Sequence, residues 1–305
     1  MVEDYVMMLK KQVSPNSINP YMAGIQAFFE TNDIELRWRK IRRLFPARVK
    51  KTGMKIWTTE EIDLMLKNTR DPRQKALIHF IAASGVRRGA IRDLKIRHLT
   101  RIENCYAVLV YEGSLEEYIT FIHPEAAFWL DKYLEKRKND GEYLDGNSPV
   151  FRTSYQLGIQ KVIPMNDELV LRSIWYVIKK SGIRAGQQKK SGRYETQTDH
   201  GFRKRWATIV ENTDGMKIIL AEKMQGPSTT SFPMAAIYNQ PTMEVLFEEY
   251  KKAIPELTID NSARKQAELD KANEEISVKD HLLEENRTAM NKMVELGFKI
   301  QKANL

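Results

Sequence analysis

Cysteine is almost missing: Cys105 is the only one in 305 residues. That excludes an intrachain disulfide and any multi-cysteine zinc site. No apolar run approaches the roughly 20 residues a membrane-spanning helix needs, so no transmembrane segment is expected. The start, Met1-Val2-Glu3-Asp4-Tyr5, is acidic and has no signal-peptide apolar core, so no export and a cytoplasmic setting are expected. The glycines form neither a P-loop nor a dinucleotide fingerprint, and HExxH is absent, so those nucleotide and zinc chemistries lack their signatures. His79, His98, His123, His200 and His281 show no ligand spacing. Glu112, Glu116 and Glu117 cluster without a distant third ligand and read as a charged hairpin rim, so no metal is expected.

Positive charge is what the chain has in excess. The net charge is +9, and from Asp260 onward eight Lys/Arg stand against nine Asp/Glu, so residues 1–259 carry +10. Arg37 to Lys55 holds nine basic residues and no acid. Leu36, Trp38, Ile41, Leu44 and Phe45 interleave with them, which favours an ordered basic surface over a solvated linker. Arg37, Arg39, Lys40, Arg42, Arg43, Lys50 and Lys51 are the candidate contacts to a polyanion; nucleic acid is the first choice of partner and an anionic membrane surface a distant second.

Hydrophobic periodicity predicts a mainly α fold with a small antiparallel β-hairpin or sheet. Helices are expected over 3–12 and 17–31, with Asn16 or Ser17 as cap of the second, followed by a basic helical stretch that ends at Pro46. Thr58-Thr59-Glu60-Glu61 has the form of a capping box. Further helices are expected from Asp71-Pro72, through Ile91 and Leu94, from Pro124 to about 138, over 168–181, from His200 to about 212, over 216–224 and over 242–253. Residues 105–111 and 117–122 read as a hairpin, 141–148 as a surface loop, and 234–238 as a helix-like segment. From about 262 to 304, Leu269, Ile276, Leu283 and Met290 recur every seven residues, which suits a long helix or a short coiled coil.

Three motifs carry the chemistry. His200-Gly201-Phe202-Arg203 puts an imidazole and a guanidinium one helical turn apart; a lone pair of this kind also fits the basic start of a solvated helix. Ser84-Gly85-Val86-Arg87 puts an arginine just after a helix-breaking glycine, and Tyr238 lies in Ala236-Ile237-Tyr238-Asn239-Gln240-Pro241. Two arginines, a histidine and a tyrosine are the minimum for phosphoryl transfer to a protein nucleophile without a metal.

In this order the motifs resemble those of the tyrosine recombinase (phage-type integrase) family, its archaeal members in particular, over about residues 55–255. The resemblance implies a catalytic domain at 53–256, a short helical DNA-clamping domain with a basic linker at 1–52, and a helical tail at 257–305. It implies that Arg87 and Arg203 bind the scissile phosphate, that His200 transfers a proton, and that Tyr238 forms a 3′-phosphotyrosyl bond, with neither metal nor ATP. It also implies a site-specific recombinase or integrase of a mobile element, tetrameric on double-stranded DNA and with no membrane partner. Two positions depart from the family pattern. The family's hairpin lysine, the general acid for the leaving 5′-oxygen, has no counterpart in residues 105–122. The box usually written Leu-Gly-His is Met224-Gln225-Gly226-Pro227, and Lys189 or Lys190, in the loop before His200, is a candidate substitute that nothing in the sequence places. The second reading is therefore a DNA-binding relative with impaired cleavage.

Overall fold

The computed structural model describes residues 1–49, 55–154, 162–187, 194–226 and 240–260, with isolated positions 276, 279 and 287. The chain divides into two compact units, Met1–Met54 with Lys190–Glu195, and Lys55–Lys189 with Thr196–Leu305.

In the smaller unit, α1 (Val2–Gln12) and α2 (Pro15–Thr31) pair through Val6, Leu9, Ile18 and Met22, and α3 (Trp38–Arg42) adds Ile41. Helix α2 begins earlier than the periodicity suggests, with Pro15 in its first turn and Ser14 in the cap position. Asn16 instead binds the backbone of Val49 through its side-chain amide. Arg37, Arg39, Lys40, Arg42 and Arg43 are all exposed, since burying Ile41 turns the charged positions of this short helix outward. Lys50 and Lys51 lie outside the described residues.

The larger unit is built around α5 (Pro72–Ser84), every residue of which from Ala76 to Ser84 is buried. A helix apolar all round needs cover on every side. Helices α4 (Thr59–Lys67), α7 (Pro124–Asn139), α8 (Asp167–Ser181) and α9 (His200–Asn212) and the strand Tyr118–Ile122 supply it. Thr58 and Glu61 close the expected capping box on α4, and Asp71 caps α5 through the Arg73 N–H. Between α5 and α7 come the single turn α6 (Ala90–Asp93), a 3-10 turn (Ile96–His98), and β1 (Leu99–Ile102), β2 (Cys105–Val110) and β3 (Tyr118–Ile122). These strands form one antiparallel sheet in sequence order. The predicted hairpin is β2–β3, with Val108 opposite Thr120. Its β1 edge goes unforeseen because four residues with no in–out alternation give no strand signal.

Helices α10 (Ile218–Gln225) and α11 (Met243–Leu257) pack with α9 and the sheet around Phe121, Trp206, Phe247 and Tyr250. The expected surface loop at 141–148 begins with an anchor instead. Glu142 is buried between Arg137 and Arg152, accepting from both, while Arg137 also donates to the Pro149 and Val150 carbonyls. The segment 234–238 and the seven-residue repeat of the tail fall outside the described residues, apart from Ile276. No helix among the described residues is long and apolar enough to cross a membrane.

Candidate active site

The end of α5 delivers Arg87. Gly85 caps the helix in the left-handed region at φ 61°, its N–H returning to the Ile81 carbonyl, a conformation glycine adopts without penalty. The last carbonyls of a helix have no partner within it, and here three of them are satisfied by side chains from distant elements. The Trp206 indole and the Tyr250 hydroxyl both donate to Ala83 O at 2.8 Å. Thr120 of β3 donates to Ser84 O at 2.9 Å, and Arg203 Nη1 to Gly85 O at 2.6 Å. A methyl group on Gly85 would meet the Trp206 ring at 2.7 Å. The chain can therefore turn toward Arg87 only with glycine at that point.

Helix α9 delivers the other two groups. His200 and Arg203 stand one turn apart in its first turns. Gly201 between them lets the Trp57 indole lie against the backbone, where a Cβ would meet Trp57 Nε1 at 2.7 Å. The indole N–H donates to Thr198 O, which fixes the chain just before the helix. Asp199, at the cap position, makes no side-chain cap bond and instead receives Arg88 Nη1 at 3.0 Å. That ion pair ties the Gly85–Arg88 turn to the start of α9, a partnership 111 residues apart in the chain.

Arg87, His200 and Arg203 line one cavity of about 260 Å³, together with Arg88 and Asp199. Arg203 is buried, and its Nη2 donates to Gln225 O at 2.8 Å, so the guanidinium joins all three sequence boxes. Burial, the larger effect, draws the His200 pKa below its usual 6.5, with Lys204 next in the same direction. The imidazole is then neutral at neutral pH and able to accept a proton. Two guanidiniums and a neutral imidazole around one concavity can neutralise a tetrahedral anion and take up a proton beside it.

The β2–β3 turn carries acids and no lysine. It begins at Tyr111 in the left-handed region, φ 58°. Its three acids, which the sequence groups as one rim, have separate partners. Glu112 accepts from Arg97 and contacts His98 at 3.0 Å, and Glu117 accepts from Gly113 N–H. Glu116 Oε2 stands 3.7 Å from Arg87 Nη1. Tyr238, Pro227, Lys189 and Lys190 lie outside the described residues. Arg88, Glu116 and Tyr118 also belong to this neighbourhood, and nothing in their spacing announces it.

No protein-family model matches the chain. It is 25% identical over 246 residues to "Tyrosine recombinase XerA" of Thermococcus onnurineus (strain NA1), covering 79% of this chain and 76% of that one. Among solved structures it is similar to the XerH site-specific recombinase bound to a palindromic difH substrate in a post-cleavage complex. That match has a TM-score of 0.55 and 17% identity, covering 81% of this chain and 67% of the other. It is also similar to the Tn1549 transposon integrase (aa 82–397) in complex with circular intermediate DNA. There the TM-score is 0.52 and the identity 14%, covering 81% of this chain and 83% of the other.

Proposed function

We propose that this chain, a member of the tyrosine recombinase family, is a site-specific DNA strand transferase that cleaves and rejoins DNA through Tyr238. The observation that supports it is the convergence of Arg87 with His200 and Arg203 in one cavity. Arg87 and Arg203 hold the non-bridging oxygens of the scissile phosphate. His200 accepts the phenolic proton as Tyr238 attacks phosphorus. The bond from phosphorus to the 5′-oxygen breaks, a 3′-phosphotyrosyl bond forms, and the leaving oxygen takes up a proton to become a 5′-hydroxyl. A second 5′-hydroxyl attacking that bond completes strand exchange and returns Tyr238 to its phenol form. The phosphotyrosyl ester conserves the energy of the broken diester, so the cycle balances without ATP or a metal. Arg37, Arg39, Lys40, Arg42, Arg43, Lys50 and Lys51 contact the duplex backbone. The family's tetramer on DNA is the assembly proposed here too.

A suicide substrate that traps the covalent intermediate tests this. Wild-type protein is expected to form a protein–DNA adduct without Mg²⁺, and Tyr238→Phe is expected to form none. A strict Mg²⁺ requirement with no covalent species overturns the reading. The β2–β3 turn favours the second reading, a DNA-binding relative slow in cleavage, because Glu116 faces Arg87 on a turn that has no lysine. Tight, site-specific binding with no adduct under any condition selects that alternative.

A further inference from the structure

Beside this cavity is a hydrogen-bond donor with no acceptor among the described residues. Tyr118, the first residue of β3, is 7% exposed; its buried hydroxyl stands against Arg203, from which the oxygen can accept, while its hydrogen has no acceptor among the described residues. The charged groups acting most strongly on it are the guanidiniums of Arg203 and then Arg87. Arginine has donors only, so neither side chain can receive the phenolic proton. The ring of Tyr118 packs over the third sequence box: a Cβ on Gly226 would lie 2.9 Å from Tyr118 Cδ1 and 3.4 Å from Arg87 Nη1. Ring and guanidinium thus converge on the same point of backbone, next to residue 227. A buried hydroxyl hydrogen without an acceptor costs about 1–3 kcal/mol, and an anionic oxygen held by the two guanidiniums would supply one.

We propose that Tyr118 is a further phosphate-contacting residue, its hydroxyl donating to a non-bridging oxygen of the scissile phosphate held by Arg87 and Arg203. It supplies a donor of the kind that the third box, with proline at position 227, cannot. This rests on the strand-transfer reading above. Burial, the dominant influence on this phenol, raises its pKa above the usual 10 despite the two arginines. Tyr118 therefore keeps its proton and serves as a donor, leaving attack to Tyr238.

Tyr118→Phe tests this because it removes the hydroxyl and keeps the ring. Single-turnover cleavage is expected to slow about 10²- to 10³-fold, with DNA affinity nearly unchanged. Pro227→His is expected to recover much of that loss in the Tyr118→Phe background and to add little to the wild type. Cleavage at the wild-type rate overturns the proposal, as does an equal effect of Pro227→His in both backgrounds. A wild-type chain that binds DNA and forms no adduct overturns the strand-transfer reading itself, and this proposal with it.

Discussion

His200 and Arg203 are legible as a pair because a spacing of three is one helical turn, and that pattern survives without knowledge of the fold. Their environments are not legible. Arg203 binds carbonyls 118 and 22 residues away in the chain, and the His200 shift comes chiefly from burial. Each depends on contacts that local sequence does not encode. A prediction follows from the direction of that shift. In the proposed role of proton acceptor, His200 must be neutral, and its lowered pKa favours that form across the neutral range. The single-turnover cleavage rate is expected to stay level from pH 8 down to about the free-histidine value of 6.5 and to fall only below it. In His200→Gln the rate is expected to be lower throughout and this acid limb to disappear. An acid limb that persists unchanged in the variant assigns the titration to another group.

Among the elements, helices with strong signals are legible to within a few residues: the Thr58 capping box, Asp71-Pro72 opening α5, and Pro124 opening α7 all sit where the sequence puts them. What escapes is held by distant partners. Strand β1 is short and has no alternation, and Glu142 is a carboxylate in a nominal surface loop that two arginines bury. Gly85 lies between these cases. The sequence marks it as a helix breaker, and the structure adds that the Trp206 ring presses on it. Gly85→Ala is expected to destabilise the larger unit by roughly 1–2 kcal/mol for a left-handed backbone and about 1–3 kcal/mol more for crowding. Urea unfolding checks this, and a midpoint equal to wild type would show that the turn tolerates a side chain.

At the scale of the molecule, charge and site belong to different units. The exposed cations of α3 and its flanks are in the smaller, and the cavity with Arg87, His200 and Arg203 is in the larger. The uneven charge along the sequence foretells the first, and the order of the boxes the second. The heptad repeat of the tail remains an expectation about residues the structure does not describe. DNA affinity is expected to fall steeply with salt. Neutralising Arg39, Lys40, Arg42 and Arg43 together is expected to flatten the log–log slope by about 0.9 for each phosphate whose charge the protein no longer offsets. A salt titration by fluorescence anisotropy measures both, and an unchanged slope places the DNA-binding surface elsewhere.

The grip on Arg203 has a kinetic consequence. Two of its donors are already committed to the Gly85 and Gln225 carbonyls, so this guanidinium holds its place before any phosphate arrives. Little solvent or side-chain rearrangement is left for the moment of contact, which is the condition under which fixed dipoles and charges stabilise a transition state best. Under the proposed strand-transfer function, capture of the phosphate at this arginine is expected to be governed by how often the DNA presents it, and not by the time the socket takes to form.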